Sequence, residues 1–226
     1  MKFDTSKLLN PWVSVDVVVF TLENNELKVL LTKRASDPFM GSWALPGGFL
    51  LKGETTEIAA RRVLKQKAGV SSDVYLEQLY TFDTPGRDPR APVFSITYFA
   101  LVPIEDIKFA KTDKTESPEF ISINHLPRLA FDHKDIVNYS IKRLQAKIQY
   151  TNAAYSILPK LFTFSQLQKV YEAILERAID KRNFRKKFMQ LGLIKETKKM
   201  LRGGKQRPAK LYEFISHKPA ELKKFF

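Results

Sequence analysis

The chain has 226 residues, 44% of them hydrophobic, which suffices for one large domain or two small ones with packed cores. It contains no cysteine, so disulfides and thiolate chemistry are excluded, and its three scattered histidines do not suggest a zinc cluster. It has no run of about 18 apolar residues that could span a membrane, and its start does not read as a signal peptide, so we expect a cytoplasmic protein.

The formal net charge of +14 is unevenly distributed along the chain. Residues 1–150 carry 20 Lys and Arg against 18 Asp and Glu, a net charge of +2. Residues 151–226 carry 18 against 6, a net charge of +12. A basic excess concentrated in one segment favours an anionic polymer as partner. We therefore expect two domains, 1–150 and 151–226, the second of which contacts nucleic acid.

The first domain begins with apolar, β-branched segments that are typical of buried strands. The segments 13–20 and 27–32 flank an Asn24-Asn25 turn and predict a β-hairpin. Further strands are predicted at 74–82, 93–102 and 120–123. A helix at 133–149, which Asp132 is placed to cap, closes the domain.

The stretch from Gly41 to Val70 predicts a tight glycine turn followed by a helix. The Gly47-Gly48 pair after a proline permits backbone angles that a Cβ would forbid. Thr55 or Thr56 can cap the helix, and Gly69 supplies its stop. Apolar residues then recur at helical spacing, at Ile58, Ala60, Val63, Leu64 and Ala68.

This stretch resembles the signature of the Nudix family. The signature reads Gly, five residues, Glu, seven residues, Arg-Glu, an apolar residue, any residue, Glu-Glu, any residue, Gly and an apolar residue. Gly48, Glu54, Arg62 and Gly69 fit that frame without a gap. The resemblance implies an α/β/α sandwich built around a mixed sheet, within an α+β protein.

The family's metal ligands are absent from the frame. In the family, three glutamates after the arginine hold the divalent metal that activates water on a pyrophosphate; here their places are taken by Val63, Gln66 and Lys67. The i, i+3, i+4 spacing predicts one shared helix face, where three carboxylates would bind Mg²⁺. Valine has no donor atom, glutamine offers a neutral oxygen, and lysine adds a positive charge. We therefore predict no catalytic residue, no bound metal and no cofactor.

Four side chains of the first domain are candidate ligand-binding residues. Glu54 is the first. For this residue we favour an ion pair with Arg62, which would hold the loop on the helix, over residual metal binding. Arg34 ends a strand at a place that often lines the substrate pocket in Nudix relatives. Arg87 and Arg90 lie in the loop DTPGRDPR, where their guanidinium groups could grip a phosphate. An Asp–Arg network that stiffens this turn is an equally good interpretation.

The second domain is predicted to contain a helix, a basic helix and a hairpin. Thr163 and Gln166 form a capping-box pattern, and Asp180 can cap the helix KRNFRKKFMQL, whose aromatic residues Phe184 and Phe188 point to the core. Strands are predicted at 193–201 and 210–215. This order is that of a winged helix-turn-helix domain.

In a winged helix-turn-helix domain the basic helix lies in the major groove, and the hairpin reaches the backbone beside it. Double-stranded DNA is favoured over a protein partner because the charge falls on both the helix and the hairpin tip. The candidate DNA-binding residues are Lys181, Arg182, Arg185 and Lys186 in the helix and Arg202, Lys205 and Arg207 in the hairpin loop.

The two halves together resemble the Nudix-related transcriptional regulators called NrtR. The resemblance rests on the frame around Gly48, the GRDPR loop, the LAFDH segment at 129–133, the KRNFRKKF helix and the RPAKLY hairpin. It implies a homodimeric repressor of NAD-synthesis genes that senses ADP-ribose or a related nucleotide through its Nudix domain. Sugar-utilisation regulators of similar build exist, so the regulated genes stay open.

Two other functions compete with this one. The chain could be an active Nudix hydrolase of nucleoside diphosphate derivatives with a basic nucleic-acid-binding appendage, against which stand the three replaced glutamates. It could also be a structural nucleic-acid-binding protein without a ligand. Magnesium-dependent turnover would indicate the first function, and the absence of any nucleotide response would indicate the second.

Overall fold

The computed structural model describes residues 8–70, 74–107, 118–201 and 208–222. The strands in these ranges are β1 Trp12–Glu23, β2 Glu26–Lys33, β3 Trp43–Ala44, β4 Gly47–Phe49, β5 Tyr75–Phe82, β6 Val93–Leu101, β7 Glu119–Ser122, β8 Phe162–Thr163, β9 Ile194–Leu201 and β10 Ala209–Phe214. The α-helices are α1 Thr56–Val63, α2 His133–Lys147, α3 Phe164–Leu175 and α4 Lys181–Gln190. Short 3₁₀ turns lie at Ile104–Asp106, Ile123–His125 and Ala153–Ser156. None of these helices is both long and apolar enough to cross a membrane.

The first half is built on a mixed seven-stranded sheet with the strand path β3-β2-β1-β6-β5, to which β4 and β7 add on β1 and β2. β1 and β6 run parallel and the other pairs antiparallel. Side chains of β1 alternate between two cores. Val15, Val17 and Val19 pack with α1, whereas Val18 and Phe20 pack with α2. This arrangement confirms the predicted α/β/α sandwich.

The signature helix begins and ends where the sequence predicted. The hydroxyl of Thr55 accepts the N–H of Ile58 at 3.3 Å, and Gly69 ends the helix with a positive φ of 62°. Ile58, the first of the apolar residues at helical spacing, is 54% exposed. Ala59 takes the buried place instead.

The second part of this helix departs from α geometry. Residues Leu64–Ala68 form a π-helical turn, which changes the direction of the side chains that follow Val63. Val63 is buried in the core, Gln66 is exposed, and Lys67 is partly buried. Val63 and Lys67 both lie next to β4, the first near Gly48 and the second against the Gly47 carbonyl, so these two positions share a face as predicted, whereas Gln66 is exposed.

The second half consists of α3, α4 and the three-stranded sheet β8-β10-β9. The N–H of Gln166 donates to Thr163 Oγ1 at 3.2 Å and the N–H of Thr163 donates to Gln166 Oε1 at 2.7 Å, which confirms the capping box. Asp180 Oδ1 accepts the N–H of Asn183 at 2.8 Å and caps α4 as predicted. The predicted winged helix architecture is confirmed, and the hairpin loop at 202–207 lies outside the described residues.

One apolar core joins the two halves. Leu144 and Ile148, at the carboxyl end of α2, belong to the same cluster of buried side chains as Phe162, Leu167 and Phe188 of the winged helix. At the predicted domain boundary, Thr151 and Asn152 are buried as well. The Asn152 side chain donates to the carbonyl of Lys218 at 2.9 Å and accepts the N–H of Ala220 at 2.8 Å. The carboxyl-terminal segment thus covers the junction between the halves.

Because of this shared core, we expect Leu144→Ala to destabilise both halves together. Truncating a fully buried leucine costs about 2–5 kcal/mol, and the cavity would lie where α2 meets the winged helix. Urea unfolding followed by circular dichroism and by tryptophan fluorescence should show one shifted transition in both signals. Lys142→Ala, an exposed change on the same helix, should stay within about 0.5 kcal/mol of the wild type. Two separate transitions, only one of them shifted, would contradict the shared core.

Candidate functional site

A cavity of about 380 Å³ opens in the Nudix half, where β1, β2, β4, the π-helical turn, the loop after β5 and the start of α2 meet. Concave sites of this size are typical of small-molecule binding. Basic groups predominate among its charged lining side chains, which are Lys33, Arg34, Lys67, Arg87, Arg90, Asp16 and Asp88. Such a lining suits an anionic small molecule.

Arg87 links the cavity loop to α2. Its Nε and Nη2 donate to the two carboxylate oxygens of Asp132 at 2.8 and 2.7 Å, and its side chain is only 4% exposed. Asp132 occupies the N-cap position of α2, but its side chain makes no capping hydrogen bond. The predicted cap was therefore wrong, because the carboxylate is committed to the arginine.

Arg90 forms a second paired contact, within the loop itself. Its Nε and Nη2 donate to Asp88 at 2.9 and 2.7 Å, and its backbone N–H donates to the same carboxylate at 3.0 Å. Burial alone would raise the pKa of Asp88, but the hydrogen bonds from Arg90 bring that pKa below its ordinary value. An Asp–Arg network thus stiffens the turn. Both arginines also line the cavity, so their contact with a phosphate stays a prediction.

Arg34 lies against an aromatic ring on the cavity wall. Its Nε and Nη2 donate to the backbone carbonyls of Pro38 at 2.6 Å and Ser36 at 3.2 Å. Its guanidinium carbon is 4.7 Å from the ring centroid of Phe131, and that of Arg90 is 5.8 Å from the same centroid. Burial and the charge of Arg90 lower the pKa of Arg34, and the more distant carboxylates of Asp88, Asp16 and Asp37 offset this only in part. An incoming anion would relieve this unfavourable environment.

Asp16 and His133 form the polar floor of the cavity. Asp16 accepts the hydroxyl of Ser95 at 2.5 Å and lies 4.0 Å from Arg87 Nη2 and 3.9 Å from His133 Nε2. His133 Nδ1 accepts the N–H of Leu45 at 2.9 Å, which places the proton of the neutral ring on Nε2. Burial lowers the pKa of His133, so the ring stays neutral near pH 7.

Gly47 is required by its contact with Asp16. A Cβ at position 47 would lie 1.9 Å from Asp16 Oδ1, whereas one at Gly48 would meet its nearest atoms at 3.7 Å. Neither glycine has a positive φ, so the prediction that this pair supplies unusual backbone angles was wrong. Lys67 Nζ donates to the carbonyl of Gly47. The carbonyl and the carboxylate together fix the floor beneath any ligand.

The structure does not bring Glu54 to this cavity. Its two carboxylate oxygens accept Nε and Nη2 of Arg62 at 2.7 and 2.9 Å, and one of them also accepts the N–H of Leu51 at 3.0 Å. The hydrogen bonds from Arg62 lower the pKa of Glu54. The pair holds the loop on the helix, which was the favoured interpretation of these two residues. Within the described ranges, no cluster of His, Asp and Glu is arranged to hold a metal ion.

The basic helix α4 presents its cations away from the core. Lys181, Arg182 and Lys186 are exposed, whereas Phe184 and Phe188 on the opposite face are buried. Arg185 is exposed as well, but its Nη2 donates to Tyr212 Oη at 2.7 Å and its guanidinium stacks 5.0 Å from the ring of Phe164. The candidate residues Arg202, Lys205 and Arg207 lie outside the part of the chain that the structure describes.

Comparisons with known proteins match both halves. The NUDIX domain model matches residues 12–140, and the model of the NrtR DNA-binding winged helix domain matches residues 154–214. A relative from Acinetobacter baylyi, named "ADPR responsive transcriptional repressor NtrR", is 34% identical over 94% of this chain and 86% of its own length. The chain belongs to the NrtR family. This confirms the resemblance predicted from the sequence.

Solved structures agree with the NrtR assignment over the whole architecture. NrtR of Shewanella oneidensis, crystallised with a 27mer DNA, is 32% identical, has a TM-score of 0.79, and matches over 89% of this chain and 93% of its own. The NUDIX domain of that protein, crystallised with ADP ribose, is 31% identical with a TM-score of 0.55, over 63% of this chain and 94% of its own.

An enzyme is also among the relatives of this NrtR chain. An ADP-ribose pyrophosphatase from Methanocaldococcus jannaschii is 40% identical over 57% of this chain and 72% of its own length. The match covers 129 residues and so reflects a single domain.

Gly47→Ala should destabilise this NrtR protein, whereas Gly48→Ala should not. The new methyl group at position 47 must displace the buried Asp16 carboxylate, an overpacking that typically costs about 1–3 kcal/mol. The methyl group at position 48 would make ordinary contacts and should change the free energy of unfolding by about 0.5 kcal/mol or less. Urea denaturation of the two variants measures the difference; equal stability would contradict the close approach of Asp16 to Gly47.

Proposed function

We propose that this protein is a homodimeric transcriptional repressor whose Nudix domain senses ADP-ribose, or a closely related nucleoside diphosphate, without hydrolysing it. The observation that carries the proposal is a basic cavity in the Nudix half, which shares one apolar core with the winged helix. The regulated genes would belong to NAD synthesis, as the family resemblance implies. We propose that residues 1–150 form the ligand-sensing domain and that residues 151–226 form the DNA-binding domain.

The lining of the cavity supports a nucleoside diphosphate as ligand. Arginine and lysine side chains bind phosphate oxygens by charge-assisted hydrogen bonds. Arg34, Arg87 and Arg90 are the candidates for this role, with Phe131 as an apolar wall between two of them. ADP-ribose has such a diphosphate, and it appears in the names of relatives that act as a repressor and as a hydrolase. Glu54 would act indirectly, by holding the loop with Arg62.

The signature helix supports sensing over hydrolysis. The archaeal pyrophosphatase favours a hydrolytic function, and the frame of Glu54 and Arg62 is retained. Val63 is buried and has no donor atom, however, and Lys67 places an ammonium group on the cavity lining. A hydrolase of this type needs hard oxygen ligands for its metal, and these positions do not supply them.

The exposed cations of α4 support DNA as the macromolecular partner. Lys181, Arg182 and Lys186 would face the major groove, and Arg202, Lys205 and Arg207 of the hairpin loop would hold phosphates. Arg185 is already held by Tyr212, so its part would be to fix α4 on the hairpin and to contact DNA only with its remaining donors. A homodimer would present two such helices to the half-sites of an operator.

Helix α2 provides a physical route from ligand to DNA. Its start carries Asp132, the partner of the cavity residue Arg87, and His133, which lines the cavity. Its other end packs on α3, where Gln145 donates to Glu176 at 3.2 Å. A ligand that shifts the start of α2 would therefore tilt the winged helix. Such a ligand acts only if its affinity differs between the two arrangements.

Arg182→Ala should weaken DNA binding. The loss should be about 1–3 kcal/mol if the guanidinium reads a base edge, and it should then relax specificity at one base position. The measurement is a fluorescence anisotropy titration, at fixed salt, of an operator fragment that the wild-type protein selects from random DNA. Lys52→Ala, which removes an exposed lysine from the Nudix half, is the matched control and should bind like the wild type. Unchanged binding by Arg182→Ala would remove this residue from the interface.

ADP-ribose should weaken operator binding without being consumed. A coupling free energy of about 1–3 kcal/mol corresponds to roughly a 5–150-fold change in DNA affinity. Arg34→Ala should blunt this response while leaving DNA binding without ligand unchanged. Chromatography of the same samples with magnesium should recover the ADP-ribose intact. An unchanged titration midpoint would exclude ADP-ribose as the effector, and turnover near 1 per second, the low end of ordinary enzymes, would establish a hydrolase.

A further inference from the structure

Within the described part of the chain, Lys67 has fewer hydrogen-bond partners than the three arginines of the cavity. Arg87 is held by both oxygens of Asp132, and Arg90 by both oxygens of Asp88. Arg34 donates to two backbone carbonyls and stacks on an aromatic ring. Lys67, in the described part of the chain, makes one hydrogen bond, to the carbonyl of Gly47. An ammonium group has three donors, so two of them remain for a ligand.

The surroundings of Lys67 leave its charge poorly compensated. The ammonium group lies in the cavity wall formed by β4 and the π-helical turn. Among the residues that the structure describes, no carboxylate forms an ion pair with it within 4 Å. Burial lowers the pKa of Lys67, the charge of Asp16 partly offsets that effect, and Arg34 and Arg62 add to it. A buried cation in such a place gains from an anion that supplies charge and acceptor oxygens together.

Lys67 belongs to the π-helical turn and lines the cavity. The neighbouring residues Lys65 and Gln66 belong to the same turn, but they are exposed and do not line the cavity. Lys67 instead reaches β4, where it donates to the Gly47 carbonyl. Of the two lysines of this turn, Lys67 thus faces the cavity and Lys65 faces solvent, so Lys65 is a natural control.

We propose that Lys67 is a phosphate-binding residue of this cavity, and that its fixed charge makes binding of the nucleotide diphosphate independent of divalent metal. The inference rests on the proposed function in that the phosphate is taken to be that of ADP-ribose. The two remaining N–H donors of Lys67 would bind one diphosphate oxygen or two adjacent ones. The positive charge of the ammonium group would then take the place of the charge that a bound cation contributes in a metal-dependent site. Arg34, across the cavity, would hold the remaining phosphate charge.

Isothermal titration calorimetry of the full chain with ADP-ribose tests this inference, in EDTA and again with excess magnesium. The wild type should bind with the same affinity, within about twofold, in both buffers. Lys67→Met keeps the length of the side chain and removes its charge, and it should lose roughly 10- to 100-fold in affinity, as expected for a charge-assisted hydrogen bond. Lys67→Arg should recover part of that loss, since it restores the charge.

Lys65→Met is the matched control, because it removes the same charge from an exposed position on the same turn. It should bind ADP-ribose like the wild type. Thermal unfolding of all variants shows that they are folded, and Lys67→Gln serves in place of Lys67→Met if the latter is not. Wild-type affinity of a folded Lys67→Met protein, equal losses in the Lys67 and Lys65 variants, or a strict magnesium requirement would each overturn the inference.

A failure of the proposed function can be told apart from a failure of this inference. If the wild type does not bind ADP-ribose, the choice of effector is wrong, and inorganic pyrophosphate replaces it as the probe in a thermal-shift titration of the same proteins. Stabilisation of the wild type and of Lys65→Met, but not of Lys67→Met, would then still support Lys67 as the phosphate site. No stabilisation of the wild type, or equal stabilisation of all three proteins, would remove Lys67 from that role.

Discussion

The paired hydrogen bonds between Arg87 and Asp132 connect the cavity with the rest of the chain. They join the loop after β5 to the first turn of α2, and they are buried, with Arg87 only 4% exposed. Breaking such a pair by removing one partner leaves a buried charge uncompensated, which typically costs about 3–5 kcal/mol. The loop and the helix are therefore fixed relative to each other. Since α2 also packs on α3, the same helix contacts both the cavity loop and the winged helix.

The cavity is built to hold negative charge that the protein does not itself provide in full. Asp88 and Asp132 neutralise two arginines and fix their orientation, so these groups are preorganised. The charges of Arg34 and Lys67 are less fully neutralised by the protein and so can be neutralised by a ligand. Burial lowers the pKa of each of these two groups. The loop and helix of the family's signature are thus retained. The carboxylates that would bind a metal are replaced by an apolar, a neutral polar and a basic side chain. The substitution turns a candidate reaction site into a candidate binding site.

Local sequence patterns predicted the elements of this fold well. The capping box of Thr163 and Gln166, the cap at Asp180 and the stop at Gly69 are interactions between residues close in sequence, and composition reveals them directly. The apolar, β-branched composition of residues 13–20 likewise predicted the buried strand β1, whose side chains pack in two cores. The gap-free signature frame located the Nudix half, and the clustered charge located the winged helix.

The site was harder to predict because its contacts join distant parts of the chain. Asp16 binds Ser95 across 79 residues, and Arg87 binds Asp132 across 45, and neither pairing has a local sequence signal. The need for glycine at position 47 comes from one carboxylate on a neighbouring strand. The π-helical turn at Leu64–Ala68 likewise has no signal in the regular helical spacing of the sequence. The sequence therefore named three arginines of the cavity and the positive charge of Lys67, but it did not predict the roles of Asp16, Phe131 and His133.

Thermodynamic reciprocity gives the most direct test of a sensor in which cavity and winged helix are coupled through α2. If ADP-ribose lowers the affinity for operator DNA, saturating DNA must lower the affinity for ADP-ribose by the same factor. The measurement is the dissociation constant of ADP-ribose, by calorimetry at one salt concentration, for the free protein and for the protein saturated with operator DNA. We predict that the dissociation constant of ADP-ribose is larger for the DNA-bound protein, by roughly 5–150-fold. This factor should equal the factor by which ADP-ribose lowers the affinity for DNA. The same dissociation constant with and without DNA would contradict the coupling.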